Sequence, residues 1–308
     1  MNWSSLQQIG IELRENALLS AFTTFRIGGP CPCVVTCASS DQLALAVAEL
    51  AKAQTDFSLI GGGSNLLVSD AGVDAVVVRY CSETPGIRRE GDHLDVEGGT
   101  LLDDLALYSV RHGLDGLVHA SGIPGTVGGG IAGNAGAFGK QIGDAVEFVQ
   151  LLDRRGRRRI AEARELAFRY RSSRLHETGD IVVSARLRLH PGDRAQLQRQ
   201  RDDILEQRRQ KHPDWRTQPT AGSFFRNIEP TSAAGRRQAA GWFLEQAGAK
   251  EMRVGGARVF EKHANIIVAE PGCTAQDVLD LSRRMAAAVK EKFGLILVPE
   301  VRLLGRFA

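Results

Sequence analysis

The sequence predicts an α+β fold that is interrupted by two glycine-rich loops. The chain has 308 residues, of which 43% are hydrophobic, and this is enough to build two or three domains. Short runs of β-branched and other apolar residues alternate with amphipathic helical patterns. The two glycine loops follow such apolar runs, which favours a mixed fold with a ligand site on its loops.

The longest glycine run occupies residues 121–139, which include eight glycines and no charged residue. So much glycine is unfavourable in regular structure, and we expect a loop here rather than a helix or strand. A shorter loop, the first of the two along the chain, places Gly61, Gly62 and Gly63 between apolar runs, with Ser64 and Asn65 after them, so residues 121–139 form the second glycine loop. Either loop alone could simply form turns, but together they predict backbone that approaches the pyrophosphate of a dinucleotide.

A pattern typical of Rossmann dehydrogenases occurs at Gly128, Gly130 and Gly133. That fingerprint follows a strand and opens a helix, whereas here residues 123–126 precede it and residues 134–136 follow. We interpret the match as accidental.

Apolar patterns divide the first two-thirds of the chain into strands and helices. We predict strands at residues 34–36, 57–60, 66–68, 75–78, 93–96, 148–152 and 181–189, with helices at 41–53 and 101–112. The basic run 154–159 lies between two apolar segments, which favours a solvated hairpin turn over a nucleic-acid site.

We place a domain boundary near Pro191, before a highly charged segment. Beyond it we predict helices at 193–211, 233–247 and 275–293, and strands at 266–269 and 296–304. The last helix has Thr274 as its N-cap and Gly294 at its end.

Composition excludes several classes of protein. The net charge of +3, from 39 basic and 36 acidic residues, is too balanced for a dedicated nucleic-acid binder. Residues 1–5 lack a signal-peptide pattern and no apolar run is long enough to span a bilayer, so we expect a cytoplasmic protein. The odd number of cysteines predicts reduced thiols, with Cys31, Cys33 and Cys37 buried in a strand rather than binding a metal or an iron–sulfur cluster.

Three polar residues are candidates for chemistry. Ser223 is flanked by glycine and two phenylalanines without a nucleophile elbow, so it is either a proton donor or a structural hydroxyl. Glu300 lies in the apolar run 296–304, where a carboxylate must be protonated or paired, and Arg302 is a candidate partner. Arg171 is interleaved with aromatic residues, which suits either an anion site or a solvated face.

Six motifs in order resemble one family over nearly the whole chain, from Thr23 to Gly305. They are residues 23–29, 60–67, 122–129, 170–171, 222–227 and 299–302. The set is similar to the UDP-N-acetylenolpyruvoylglucosamine reductase (MurB) family. The short stretch between Arg171 and the strand at 181 resembles the compact type of the family, which lacks a tyrosine-bearing loop insertion.

The resemblance implies both a fold and an activity. A two-lobed FAD-binding domain of the vanillyl-alcohol-oxidase (PCMH) type would span residues 1–192, with lobes at about 1–80 and 81–192. A C-terminal α+β substrate domain would span residues 193–308, its last strand returning to the active site. NADPH would reduce bound FAD, and flavin N5 would pass hydride to the vinyl carbon of UDP-N-acetylglucosamine enolpyruvate. The product would be UDP-N-acetylmuramate for peptidoglycan synthesis.

The resemblance also implies the roles of individual residues. Arg171 and Glu300 would stabilise the enolate and Ser223 would supply the proton. Substrate contacts would come from Tyr170, Asn227, Lys250 and His263. FAD contacts would come from Gly61, Gly62, Gly63, Ser64, Asn65, Gly122, Ile123, Pro124, Gly125, Thr126, Gly128, Gly129, Asn134, Gly136, Gly139 and Arg302. We expect a monomer that binds no nucleic acid and no metal and inserts into no membrane.

The chain departs from the family pattern at three positions. Ile228 stands where a proline is usual, Glu251 replaces a common glycine, and Glu261 stands where serine is frequent. Two added carboxylates would weaken binding of a diphosphate unless they point to solvent. Two alternatives remain open: another flavin oxidase or dehydrogenase, and a nucleotide-binding protein without catalysis.

Overall fold

The computed structural model describes Leu6 and residues 10–230 and 237–308. Residues 1–5 and the start of the predicted helix 233–247, residues 233–236, lie outside the described residues. No helix in the described parts of the chain is both long and apolar enough to cross a bilayer.

The described residues form two compact units that interleave along the chain. The first includes the described part of Met1–Ala17 together with Pro32–Gly62 and Ala75–Gln207. The second includes Leu18–Cys31, Gly63–Asp74 and the described part of Arg208–Ala308. These limits differ from the predicted boundary at residue 192, because the helix that follows residue 192 packs its Leu197 against Val110 and Val118 of the first unit.

Regular elements agree closely with the predicted ones in the first part of the chain. In order they are β1 (Glu12–Leu18), β2 (Pro30–Cys37), α1 (Ser40–Lys52), β3 (Phe57–Ile60), β4 (Leu66–Val68), β5 (Val76–Tyr80), β6 (Ile87–Glu90), β7 (His93–Glu97), α2 (Leu102–Arg111), β8 (Leu114–Asp115), α3 (Val127–Ala132), β9 (Gly136–Ala137), β10 (Lys140–Gln141), β11 (Val146–Leu152), β12 (Arg158–Glu162), α4 (Leu175–Thr178), β13 (Ile181–Arg188), β14 (His190–Pro191) and α5 (Arg194–Lys211).

Two sheets form the core of the first unit. The strand order is β1-β2-β5-β3 in one, with β5 parallel to both β2 and β3, and β12-β11-β13-β7-β6 in the other. Helix α1 buries Leu43, Val47 and Leu50 against Val35 and Val78 of the first sheet. The basic run 154–159 joins the antiparallel strands β11 and β12, so the predicted hairpin is confirmed.

One prediction for the long glycine run is wrong, because part of it is helical. Helix α3 spans Val127–Ala132, and the Thr126 hydroxyl accepts the Gly129 N–H as its N-cap. A Cβ on Gly128 would lie 3.1 Å from the Gly98 carbonyl oxygen, so close packing against neighbouring backbone accounts for glycine within this short helix. Helix α3 packs beside strand β13. The Rossmann pattern does fall on a helix, but no strand leads directly into it, since the preceding described strand, β8, ends at Asp115.

The second unit is built around one small sheet and two helices. Its elements are β4, α6 (Ala240–Gln246), β15 (Arg253–Val254), β16 (Ala257–Phe260), β17 (His263–Ala269), α7 (Ala275–Phe293) and β18 (Arg302–Leu304). Helix α7 has the predicted bounds, with a Thr274 and Asp277 capping box at its start and a left-handed Gly294 at its end. Its buried face packs on β15, β16 and β17 through residues such as Val278 and Met285.

The predicted final strand at 296–304 is wrong in extent. Only Arg302–Leu304 form a strand, parallel to β4. The preceding residues run beside residues 224–226: Arg226 N–H donates to the Val298 carbonyl (2.9 Å) and Glu300 N–H to the Phe224 carbonyl (2.7 Å). Phe225 and Pro299, which lie between these bonds, form an isolated bridge that does not extend into a longer ladder.

Buried polar residues lie close to the long glycine run. His119 is 2% exposed, and neither of its ring nitrogens has a hydrogen-bond partner among the described residues. Burial lowers the pKa of His119 to about 4, and nearby Lys140 contributes further. Cys31, Cys33 and Cys37 are buried on β2 and form no disulfide, which confirms their predicted placement.

We expect His119→Phe to remove part of the acid sensitivity of the protein. The pKa of His119 falls from 6.5 to about 4 on folding, so its contribution to stability is complete above pH 6.5 and is lost as the pH falls towards 4. Between those values the stability difference between variant and wild type should change by about 1.4 kcal/mol per pH unit. Urea unfolding from pH 7 to 4.5 measures it.

The exposed His190 provides the control. The free energy of unfolding of His190→Phe should change with pH as steeply as that of the wild type. If the free energy of unfolding of His119→Phe also changed with pH as steeply as that of the wild type, His119 would not be the source of this pH dependence.

Candidate active site

The two predicted glycine loops meet in the first unit. A Cβ on Gly61 would collide with the Thr126 hydroxyl, and one on Gly62 would lie 3.1 Å from the Gly125 Cα. Both loops therefore need glycine for their backbones to come together. The juxtaposition creates a backbone-lined cradle of the kind that accommodates a pyrophosphate, so the residues present fit FAD.

A carboxylate holds the start of the second loop. Gly122 N–H donates to Asp103 Oδ1 (2.7 Å), and Arg201 makes two bonds to the same carboxylate (2.6 and 2.9 Å). Arg201 lies on α5 and is buried, so helix and loop are tied together. Sequence reasoning missed both residues, because Arg201 is 98 residues from Asp103 and no local pattern links them.

The other predicted cofactor residues lie on or beside these loops. Gly128 N–H donates to the Gly98 carbonyl (2.8 Å) and Ile123 N–H to the Ala120 carbonyl (3.0 Å), while Pro124 is exposed. Gly136 opens strand β9, and Gly139 closes the β9–β10 turn with a positive φ of 78°.

Residues 63–65 belong to the second unit and contact its C-terminal segment. Gly63 adopts a φ of 62°, and its carbonyl accepts the Thr24 N–H (3.1 Å). Asn65 Nδ2 donates to the Glu300 carbonyl (3.1 Å), and Arg302 N–H donates to the Asn65 carbonyl (3.1 Å). Asn65 thereby connects the first glycine loop with the predicted catalytic Glu300, while Ser64 is half-buried beside it.

The second unit brings Ser223 and Glu300 onto neighbouring segments. Ser223 forms an isolated bridge with Ile266 of β17, and Phe224 accepts the Glu300 N–H. The buried Asn265 fixes this arrangement, because its amide both accepts the Phe225 N–H (2.9 Å) and donates to the Phe225 carbonyl (2.8 Å). Ser223 and Glu300 are both half-buried, which leaves each of them accessible.

A group of basic side chains surrounds His263 in the second unit. The His263 ring lies 5.5 Å from that of His212, and Lys250 Nζ donates to Glu245 Oε1 (2.6 Å). Burial lowers the pKa of His263, with Lys250 contributing, and lowers the pKa of His212 to about 4. Both imidazoles are therefore neutral near pH 7. The sequence reasoning missed His212, whose contact with His263 spans two segments distant in the chain.

The departures from the family pattern lie at positions that tolerate them. Ile228 N–H donates to the Gln238 carbonyl (2.9 Å), a bond that a proline could not make. Glu251 and Glu261 are exposed, and Glu261 pairs with Arg258 (3.1 Å). Asn227 is exposed as well, and its Oδ1 accepts the Ala240 N–H at the start of α6 (3.2 Å).

Tyr170 and Arg171 lie in the first unit, at the tip of a tight turn. Arg169 and Ser172 exchange backbone hydrogen bonds across the turn (2.9 and 3.2 Å). Arg171 adopts a left-handed φ of 53°, and its guanidinium carbon lies 5.7 Å from the centre of the Tyr170 ring. A left-handed φ is uncommon for a residue other than glycine, and the backbone hydrogen bonds across the turn hold it in place.

Comparison with known proteins decides the family. Residues 213–304 match the family described as UDP-N-acetylenolpyruvoylglucosamine reductase, C-terminal domain, and residues 31–161 match the FAD binding domain. A curated UDP-N-acetylenolpyruvoylglucosamine reductase of Gloeobacter violaceus is 37% identical over 96% of this chain and 97% of its own length. The chain belongs to the UDP-N-acetylenolpyruvoylglucosamine reductase family.

Other members agree with this assignment. The UDP-N-acetylenolpyruvoylglucosamine reductase of Moorella thermoacetica is 39% identical over 97% of this chain and 96% of its own length. The crystal structure of UDP-N-acetylenolpyruvylglucosamine reductase (MurB) from Thermus caldophilus superposes with a TM-score of 0.78 and 32% identity, covering 96% of this chain and 99% of that one. The predicted family and fold class, with an FAD-binding domain and a C-terminal MurB domain, are confirmed.

We expect Gly61→Ala to weaken FAD binding at least tenfold. The new Cβ displaces the Thr126 hydroxyl, which caps helix α3, and separates the two loops. Loss of the cap should also lower the free energy of unfolding by about 1 kcal/mol. Fluorescence titration of apoprotein with FAD and urea unfolding measure the two effects.

Gly133→Ala is the matched control within the second loop, because a Cβ there meets the Gly129 carbonyl oxygen at an ordinary 3.5 Å. It should bind FAD like wild type. Equal affinity of the two variants would contradict the role of the close approach.

Proposed function

We propose that this chain reduces UDP-N-acetylglucosamine enolpyruvate to UDP-N-acetylmuramate with electrons from NADPH, in the synthesis of peptidoglycan precursors. Family membership over nearly the whole chain supports the reaction. The observation that carries the proposal is a pair of hydrogen bonds, from Glu300 N–H to the Phe224 carbonyl and from Asn65 Nδ2 to the Glu300 carbonyl, which bring Glu300 beside a glycine loop and beside the residue that follows Ser223.

FAD is the redox group of this proposal. When bound, FAD would supply the redox chemistry, taking up a hydride from NADPH and delivering a hydride to the vinyl carbon of the substrate. The cradle at Gly61, Gly62, Gly125 and Thr126 would hold its pyrophosphate, because backbone there approaches without Cβ atoms.

Ser223 is proposed as the proton donor. Hydride addition to the terminal vinyl carbon leaves an enolate, and the adjacent carbon must receive one proton. A serine hydroxyl is a weak acid, but an enolate is a strong base, so the transfer is feasible where little water competes. The half-buried position of Ser223 between Gly222 and the buried Phe224 supports this role.

Glu300 and Arg171 are proposed to stabilise the charge that develops on the substrate carboxylate. Glu300 can share a proton with the enolate oxygen, and its backbone is fixed through both its N–H and its carbonyl. Arg171 offers a planar fork of donors suited to a carboxylate. The left-handed backbone of Arg171 at the tip of a tight turn supports the proposal that its side chain is held in place for this contact.

Binding of the UDP-sugar is proposed to involve Tyr170, Asn227, Lys250 and His263. Lys250 is one-third exposed and offers a cation to the diphosphate. His263 is neutral near pH 7 because burial lowers its pKa, so it would bind by hydrogen bonding rather than by charge.

Anaerobic stopped-flow absorbance tests the proposal on the FAD-loaded protein. NADPH should bleach the flavin, and UDP-N-acetylglucosamine enolpyruvate should then restore its colour within seconds. Bleaching without recovery would identify a different flavin enzyme. A protein that cannot be reconstituted with FAD would contradict the proposal altogether.

We expect Ser223→Ala to slow reoxidation of the flavin by the substrate by 10²- to 10⁴-fold, the usual contribution of a general acid. Reduction by NADPH should remain within about threefold of wild type, because it needs no proton from Ser223. Ser223→Cys should recover part of the rate, since a thiol also donates a proton. Wild-type reoxidation in Ser223→Ala would remove the assigned role.

We expect Glu300→Gln to slow the same half-reaction while FAD stays bound, because an amide cannot share the proton of a carboxyl group. Arg302→Gln, at the candidate partner of Glu300, is compared at saturating FAD, because Arg302 is also an expected FAD contact. If Glu300 served only to pair with Arg302, both variants would lose stability and neither would lose the half-reaction. Stopped-flow and thermal unfolding of the two variants distinguish these roles.

A further inference from the structure

Two buried side chains hold the turn that carries Tyr170 and Arg171. Asn134, which is 1% exposed, donates from Nδ2 to the Arg169 carbonyl (2.9 Å) at the base of this turn. Ser173, which is 3% exposed, donates from Oγ to the Ala132 carbonyl (2.8 Å) at the end of helix α3. The turn is therefore tied to the glycine-rich segment from both sides.

The amide of Asn134 is nearly saturated by the protein itself. Its second N–H donates to Gln141 Oε1 (2.8 Å), and its Oδ1 accepts the Gly143 N–H (3.1 Å). A primary amide has two N–H donors, so Asn134 has none left for a cofactor. This commitment distinguishes it from a direct FAD contact, the role that the family resemblance implied.

The backbone conformation of Asn134 also helps to hold this turn. Asn134 adopts a left-handed φ of 44°, a conformation that asparagine tolerates better than most residues, and this allows its side chain to reach the turn. Arg171 is strained in the same sense, and such strain persists only where surrounding bonds fix it. The Arg169 carbonyl accepts from both Asn134 and the Ser172 N–H, so the base of the turn is doubly held.

We propose that Asn134 is a positioning residue for Arg171, acting through the Arg169 carbonyl, with Ser173 as the second attachment of the turn. The catalytic consequence rests on the proposed function. Without the Asn134 amide the turn opens more often, and the Arg171 guanidinium spends less time where it meets the substrate carboxylate.

Limited proteolysis of the FAD-saturated holoenzyme tests, independently of activity, whether Asn134 holds the turn closed. Asn134→Gly keeps the left-handed backbone and removes the amide. Tryptic cleavage after Arg169 and Arg171, mapped by mass spectrometry, should be about tenfold faster than in wild type. Ser173→Ala should accelerate it as well, while Ser172→Ala, which keeps both attachments, should match wild type. Unchanged cleavage in Asn134→Gly would overturn the proposal.

Affinity for FAD distinguishes a positioning role of Asn134 from a role in binding the cofactor. Asn134→Gly should bind FAD within about threefold of wild type. A tenfold loss of affinity together with unchanged cleavage would make Asn134 a cofactor contact instead. Asn134→Asp, which keeps the Gly143 acceptor and lacks the two donors, should repeat the result if Asn134→Gly fails to fold.

A double-mutant cycle tests the link to Arg171. Asn134→Gly should slow reoxidation by the enolpyruvyl substrate at least tenfold in wild type and have little further effect in Arg171→Ala. Equal slowing in both backgrounds would overturn the link. If wild-type flavin is not reoxidised by this substrate, the proposed function fails, and proteolysis and FAD affinity still decide the role of Asn134.

Discussion

The close approach of two backbones at Gly61–Gly62 and Gly125–Thr126 is the constraint on which the first unit depends. One pair ends strand β3 of the parallel sheet, and the other begins helix α3, whose Gly128 bonds to the residue after strand β7. Packing makes a clear demand on these positions: a Cβ on Gly61 or Gly62 would press against the facing loop and separate the two elements. Glycine is costly in conformational entropy, and here the close packing of the two loops offsets that cost.

Loops without regular hydrogen bonding need side chains to satisfy their backbone groups, and each unit uses the same solution. In the first, Asp103 accepts the Gly122 N–H and Asn134 binds the Arg169 carbonyl. In the second, the Asn265 amide bonds to both polar groups of the Phe225 backbone. Removing one such side chain leaves a buried donor or acceptor unpaired, which costs more than an ordinary surface bond. The segments that carry the candidate catalytic residues thus depend on other polar side chains that hold their backbone.

Elements with local signals were predictable from the sequence, and those fixed by distant partners were not. Helix α7 was predicted to the residue because its caps, Thr274 and Gly294, are local. Helix α3 was missed because its glycines argue against a helix until the neighbouring Gly98 carbonyl is known. The final strand was overextended because its apolar run begins at Ile296, whereas only Arg302–Leu304 pair with β4 and Pro299 forms only an isolated bridge. The candidate residues came from motif order, whereas the bonds that Asp103, Asn134 and Arg201 make join segments far apart in the chain.

Electrostatics in the second unit follow from burial rather than from the count of basic residues. Burial lowers the pKa values of His212 and His263, with Arg208 and Lys211 contributing at His212 and Lys250 at His263, so both imidazoles stay neutral near pH 7. The Lys250 ammonium group is itself paired with Glu245, whose Oε1 lies 2.6 Å from Nζ. A diphosphate that approached Lys250 would have to compete with this carboxylate, while the neutral imidazoles could donate hydrogen bonds without adding charge. The proposed substrate contacts therefore favour geometric recognition over simple attraction, which suits a protein whose overall charge is nearly balanced.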